Sequence, residues 1–247
     1  MGTDNVYLSV IIPAYNEEKR IEKTLLRLDD YFLNQAYSYE IIVALDGPKD
    51  KTREVVDELK SRVKNLRIIP RVKNRGKGYT VKESMLKAKG KIRLFTDADN
   101  STDISHFEKM RPLFDKGYNV VIASRDPRDA PGAKQVVSQI WYKRILGNMG
   151  NLFIQLMAVR GVWDTQCGFK AFRDYAAERI FSEAKINRWG FDIEVLALAR
   201  ALNYKIGVIP AYWVNDPESH VKLSGYLQVL WETVKIRINL SRGVYKI

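Results

Sequence analysis

Tyr7-Leu-Ser-Val-Ile-Ile-Pro13, with Ala-Tyr-Asn16-Glu-Glu-Lys-Arg-Ile21-Glu-Lys-Thr-Leu25 after it, decides the fold. The first seven residues are apolar, largely β-branched and end at a proline, as a buried parallel strand does where it meets a loop. In the following stretch Asn16 can cap a helix, Glu17 and Glu18 fall in a first turn where the helix dipole favours negative charge, and Ile21, Leu25 and Leu28 share one face. The unit repeats in kind. Residues 40–45 read as strand, 46–50 as loop, 51–63 as helix and 66–70 as another short strand. After Gly76-Lys-Gly78 comes a helix to residue 89, then a strand over 92–96 that runs directly into Asp97-Ala-Asp99. Strands alternating with helices imply an α/β fold whose central sheet is mostly parallel, joined by right-handed crossovers and flanked by helices.

Further along, the sequence predicts strands over 120–124, 168–172 and 206–211, a long helical stretch over 135–160 and a helix over 191–202. Residues 224–240 are amphipathic, with Leu227, Leu230, Trp231, Val234 and Ile238 at helical spacing. No composition shift, repeat or Pro/Gly-rich linker divides the chain. The 247 residues read as one large α/β domain over 1–223, bounded by the motifs below, with an amphipathic C-terminal helix or tail over 224–247. The formal charge of +12 favours an anionic partner such as nucleotide phosphate, nucleic acid or acidic lipid. The single Cys167 cannot form an internal disulfide, and its plain reading is a small buried side chain. No apolar run reaches the roughly 18 to 20 residues of a spanning helix, and Asp4 stands where a signal peptide carries basic residues, so a cytoplasmic chain is expected.

Ligands of such sheets bind beyond the carboxyl ends of the strands, where Tyr15 to Glu17, Asp46 to Asp50 and Asp97 to Asp99 collect. Asp97 and Asp99 place two carboxylates on alternate residues at a strand end, near enough to share a hard divalent cation that also grips phosphate oxygens. With no nearby histidine or cysteine set, magnesium or manganese suits them better than zinc. Alone, a D-x-D is more often a solvated loop; its place directly after an apolar strand reverses that balance. Asn74-Arg75-Gly76-Lys77-Gly78 offers two cations on a glycine-freed backbone that can approach a diphosphate, or else forms a basic surface turn. It has neither the Walker spacing nor the dinucleotide fingerprint. Asp46 can accept hydrogen bonds from a base or ribose, or do an ordinary capping job.

Together, Val10-Ile-Ile-Pro-Ala-Tyr-Asn-Glu-Glu18, Leu45-Asp-Gly47, Lys73-Asn-Arg-Gly-Lys-Gly78, Asp97-Ala-Asp99, Ser124-Arg125 and Asp164-Thr-Gln-Cys-Gly-Phe-Lys170 resemble glycosyltransferase family 2, of the GT-A fold. Within it they look most like the dolichyl-phosphate glucosyl- and mannosyltransferases, in order from Val6 to about Leu223. The resemblance implies that Pro13, Tyr15, Glu17 and Asp46 surround the nucleoside of a sugar donor. It sets Arg75 and Lys77 near the nucleotide, with Asp97, Ala98 and Asp99 at the diphosphate and Asp97 and Asp99 holding Mg2+ or Mn2+. It places Arg125, Arg144 and Asn148 at the acceptor phosphate of a polyprenyl chain. Asp164 and Gln166 stand in one pocket motif, Trp189, Asp192 and Glu194 in a second, and His220 and Lys222 in a loop over the diphosphate. Asn100 departs from the glycine that often follows the second acid, and the membrane anchor usual among these relatives is not seen.

The family inverts at the anomeric carbon. The resemblance implies UDP-glucose or GDP-mannose as donor and a polyprenyl phosphate as acceptor, and a lipid phosphate is already ionised and needs no base. A sugar-hydroxyl acceptor instead requires a base, for which Asp164 is the first candidate and Glu194 the second; Asp99 and Arg125 complete the expected catalytic set. Residues 141–157 mix aromatic, basic and apolar side chains, as do Trp231, Lys235, Arg237 and Arg242, which suits either a peripheral site on the cytoplasmic membrane face or packing on the domain or in a homodimer. A non-enzymatic binder of nucleic acid or anionic lipid is the competing class. It has no use for Asp97 and Asp99, and the basic residues are not gathered in one nucleic-acid motif.

Overall fold

The computed structural model describes residues 6–135, 141–213 and 223–247. The first strand, β1 (Leu8–Ala14), is followed by α1 (Ile21–Leu33), β2 (Tyr39–Leu45), α2 (Thr52–Leu59), β3 (Leu66–Ile69), α3 (Lys77–Lys87) and β4 (Ile92–Thr96). A 3-10 turn over Ile104–His106 leads into α4 (Phe107–Asp115), then β5 (Val120–Ser124), β6 (Lys134–Gln135) and α5 (Trp141–Met157). The chain continues through β7 (Phe169–Arg173), α6 (Asp174–Glu183), α7 (Phe191–Ala201), β8 (Ile206–Pro210), β9 (Tyr212–Trp213) and α8 (Leu223–Ser241). The large sheet has the order β3-β2-β1-β4-β7-β5-β8, and β6 pairs with β9 in a second, two-stranded one.

The expected mostly parallel sheet is present, with β1, β2, β3 and β4 parallel to one another and β5 parallel to β8. The exception is β7, which lies antiparallel between β4 and β5. Alternation along β1 splits its side chains between two cores. Leu8, Val10 and Ile12 pack with residues of α1, α2 and α4 on one face, whereas Ile11 packs with residues of α3, α6 and α7 on the other. Burial on both faces is why these strands read as continuous apolar runs.

The start of α1 differs from the capping expected of Asn16. Asn16 adopts φ 56°, a left-handed conformation that asparagine tolerates, and its Oδ1 accepts the Lys49 backbone N–H at 2.8 Å. The chain then makes a turn, with Arg20 and Ile21 donating to the Glu17 carbonyl, before the helix begins. Asn16 thus ties the first loop to the loop after β2. The long helical stretch expected over 135–160 is shorter, as α5, with residue 135 in a strand. Among the described residues no helix is long and apolar enough to cross a membrane.

Candidate active site

Sheet register assembles the site. Thr96 at the end of β4 pairs with Phe169 at the start of antiparallel β7, so Asp97 just beyond lies against Gly168. Ile122 of β5 pairs with Lys170, which brings Arg125, just past β5, beside Cys167 and Asp164. From the other side, α3 opens with Lys77, whose Nζ reaches Asp97 Oδ1 at 2.5 Å. Gly76 before it has φ 100°, and a Cβ there would sit 2.3 Å from the Asn187 carbonyl oxygen, so only glycine lets this loop press against residues 187–188.

The charges are crowded. Burial raises the pKa of Asp99 and neighbouring Asp97 raises it further, while the Ser101 N–H, donating at 2.9 Å to Asp99 Oδ1, acts against both. Burial pushes Glu17 up to about 7; Arg20 opposes this with an ion pair at 2.6 Å, and Asp99 and Asp97 add to it. Lys77 is held above its ordinary value: burial opposes the charge, but Asp97 and Asp192 outweigh it. Its ammonium also lies 5.7 Å from the Trp189 ring centre. Among the described residues no group of three acidic, histidine or cysteine side chains is arranged around a metal. Two mutually repelling carboxylates fit a hard cation that takes its remaining ligands from phosphate and water, as magnesium-type ions do.

Behind this front lies a pair that the sequence did not reveal. Lys170 is wholly buried and donates to Asp192 Oδ1 at 2.5 Å and to the Cys167 carbonyl at 2.6 Å. Asp192 in turn acts electrostatically on Lys77, so the two lysines and two aspartates form an alternating chain of charge from the core to Asp97. A lysine within apolar Phe169-Lys-Ala-Phe172, on a strand buried on both sides, was the one available signal.

Several expected roles change. Asp46 is buried; Oδ1 accepts from the Arg75 N–H at 2.9 Å and Arg71 Nη1 at 2.8 Å, and Oδ2 from the Gly76 N–H at 2.9 Å. It therefore shapes the basic loop rather than presenting a free carboxylate to a nucleoside. Asp164 is no free base: Oδ2 accepts from the Arg125 N–H and Nε and Oδ1 from its Nη2, at 2.7 to 2.9 Å. Burial opposes its charge, yet Arg125 holds its carboxyl below the usual range. The Arg125 Nε and Nη2 are correspondingly turned to that carboxylate, which fixes the plane of the guanidinium. Glu194 is fully buried, accepting from the Lys185 and Ile186 N–H groups and the Tyr245 hydroxyl, and so cannot serve as the second candidate base.

Pro13 and Gln166 are half-buried, Tyr15 and Trp189 exposed, and the Ala98 carbonyl accepts from the Thr24 hydroxyl at 2.6 Å. Arg75 stacks 3.5 Å from the Tyr79 ring centre. The side chains of Arg144 and Asn148, and residues His220 and Lys222, lie outside the described residues. Cys167 is buried, as its plain reading held, and burial raises its thiol to about 11.

An α/β sheet with an acidic pair at the end of β4, faced by a helix-terminal lysine, suits a transferase that handles a nucleotide sugar. The profile of Glycosyl transferase family 2 matches residues 9–181, and the chain belongs to that family. It is a glycosyltransferase. Over 259 aligned residues it is 36% identical to a dolichyl-phosphate beta-glucosyltransferase of Dictyostelium discoideum, covering 99% of this chain and 78% of that one. A Homo sapiens protein of the same name is 32% identical, with 97% and 78% covered. Among solved structures, glucosyl-3-phosphoglycerate synthase from Mycobacterium tuberculosis with uridine diphosphate has a TM-score of 0.67 at 17% identity, over 94% of this chain and 80% of that one. The same synthase with Mn2+, uridine diphosphate and glucosyl-3-phosphoglycerate has a TM-score of 0.57 at 19% identity, over 95% and 79%. At these identities the structural likeness carries the fold.

Proposed function

We propose that this enzyme transfers glucose, with inversion, from UDP-glucose to dolichyl phosphate or a related polyprenyl phosphate. The observation that carries the reading is the commitment of both candidate bases: Asp164 is locked to Arg125 and Glu194 is buried under Tyr245. An acceptor that arrives ionised needs no base, and a phosphate monoester does so near neutral pH. The names of relatives alike over nearly the whole chain point the same way.

In this reading Tyr15, exposed at the end of β1, and Pro13 border the nucleoside, and Asp46 holds the Arg75–Gly76 backbone so that Arg75 and Lys77 face the nucleotide phosphates. Asp97 and Asp99 would hold Mg2+ or Mn2+, which when bound supplies positive charge to the leaving diphosphate. Lys77 offsets the same charge from its fixed place at the start of α3. Trp189, 43% exposed beside Lys77, offers a flat apolar wall to a sugar ring. Asp164 fixes the Arg125 guanidinium at the end of β5, where it orients the attacking phosphate against repulsion from the donor.

The test is transfer from UDP-glucose, beside GDP-mannose, to dolichyl phosphate with Mg2+ or Mn2+, in wild type and Asp99→Ala. Metal-dependent glucolipid formation should fall by at least about a hundredfold in the variant. Donor hydrolysis without transfer, or transfer only to a hydroxyl acceptor, overturns the proposal.

A further inference from the structure

Lys170 is charged where the strand around it is apolar. It is 0% exposed on β7, between Phe169 and Ala171, and its Nζ lies 5.4 Å from the Phe95 ring centre. Taking an ammonium and a carboxylate out of water is costly, and a well-packed apolar pair of the same volume is often at least as stable. Stability therefore does not explain why Lys170 and Asp192 are paired in the core. What else Asp192 faces supplies a reason. It lies in the first turn of α7, and that turn is pressed against the start of α3, since a Cβ on Gly78 would lie 2.7 Å from Phe191 Cβ. The Lys77 Nζ is 5.9 Å from the Phe191 ring centre, and the Phe191 ring is 5.5 Å from that of Phe95. Both ammoniums thus border one aromatic pair, and Asp192 attracts both. Lys77 meanwhile reaches Asp97, the acid proposed to hold a cation, at 2.5 Å.

We propose that Lys170, acting through Asp192, is a positioning residue for the donor diphosphate: it sets how strongly Lys77 is drawn away from Asp97, and so where the Lys77 ammonium stands when a nucleotide binds. The inference rests on the reading of Asp97 and Lys77 as the diphosphate site and deepens it. The arrangement of charge carries it. Lys77 is shared between two carboxylates, Asp97 and Asp192, and can serve a phosphate only if neither captures it. An Asp192 without Lys170 would be an unpaired buried charge, and the attraction of such a charge in poorly polarisable surroundings would pull Lys77 into the core. With no charge at position 192, Lys77 would stay on Asp97 and compete with the cation for that carboxylate. Lys170 avoids both outcomes. It occupies Asp192 Oδ1 at 2.5 Å and is itself oriented by the Cys167 carbonyl at 2.6 Å, which leaves Asp192 enough charge to steer Lys77 and too little to take it.

The experiment is calorimetric titration of the full chain with UDP and with GDP in the presence of Mg2+, without acceptor. Wild type, Lys77→Met, Lys170→Met and the double variant are compared on the nucleotide that wild type binds. Lys170→Met should weaken binding by about tenfold, and Lys77→Met by at least as much. The double variant should bind no more than about twofold more weakly than Lys77→Met alone, because Lys170 acts through Lys77. A lysine that only supports the fold would give losses that multiply. Since Lys170→Met strands the Asp192 charge, the apolar pair Lys170→Met/Asp192→Leu is measured beside it. This variant should melt near wild type and still bind the nucleotide about tenfold more weakly, with Lys77 left on Asp97. Wild-type affinity in Lys170→Met or in the apolar pair, multiplied losses in the cycle, or an apolar pair that does not fold overturns the proposal. The expected cycle in an enzyme that transfers only to a hydroxyl acceptor would sustain it while removing the lipid-phosphate reading. A wild type that binds neither nucleotide removes both.

Discussion

Gly168 shows how tightly single atoms set this site. A Cβ built on it would lie 2.0 Å from Asp97 Oδ2 and 2.4 Å from Asp97 Cγ, because register places it opposite the acid that ends β4. The obstructed group is the end of a side chain, so Gly168→Ala can be absorbed by turning the Asp97 carboxylate away from Lys77. Transfer should fall by at least about tenfold while the melting temperature shifts by only a few degrees; wild-type activity would mean that the Asp97 orientation is unimportant. The two acids at the end of β4 were legible because an apolar run ending in charge marks a strand end. The contact between Lys170 and Asp192 was not, although each residue stood in a motif, since their 22-residue separation hides a meeting that only the antiparallel insertion of β7 creates. Asp46 was expected to face a nucleoside, and Asp164 and Glu194 to be candidate bases; instead each is held by hydrogen bonds from groups distant in sequence. Their partners, including the Arg71 guanidinium and the Tyr245 hydroxyl, lie on other elements, and a sequence gives no distance between elements.

Elements with strong local patterns were legible to within a few residues: β2, β4, β5, α7 and α8 lie close to where their apolar runs predicted. Short or context-made elements were not. The β6–β9 pair has two residues a side and exists through tertiary placement, and part of that placement is His106. Its ring Nδ1 pairs with the Asp103 carbonyl at 2.9 Å, and its Nε2 accepts the Tyr212 N–H at 3.0 Å, which requires a neutral ring. Burial holds this imidazole below its ordinary value, the Asp103 carbonyl opposing and Lys109 assisting. The unfolded chain therefore takes up a proton first as pH falls. The contribution to stability is complete above about 6.5 and is lost as pH drops from there through the folded value, at a slope of at most about 1.4 kcal/mol per pH unit. Melting temperatures of wild type and His106→Gln should diverge in their pH dependence between roughly pH 7 and 5, the variant lacking this acid loss. Parallel curves would remove His106 as the source.

At the scale of the whole molecule, the C-terminus and the active site are mechanically joined. The Tyr245 hydroxyl donates to Glu194 Oε1 at 2.7 Å, and the same carboxylate receives the Lys185 and Ile186 N–H groups, so the last residues brace the start of the 185–190 segment. Glu232 of α8 braces its end by accepting from the Gly190 N–H. Between these anchors the Asn187 carbonyl accepts the Tyr79 N–H of α3 at 3.1 Å, and Trp189 meets Lys77. A polar group lost from a buried carboxylate costs more than a surface contact, because the remaining charge stays out of water. Tyr245→Phe removes one oxygen atom and should cost about 1–3 kcal/mol, lowering the melting temperature by roughly 2 to 12 °C for a chain of this size. If the brace positions the site as well as stabilising it, the KM for the sugar nucleotide should rise several-fold at a temperature where the variant remains folded. A lower melting temperature with unchanged KM would confine the brace to stability. An unchanged melting temperature would show that the Tyr245–Glu194 bond does not hold the C-terminal segment to the domain.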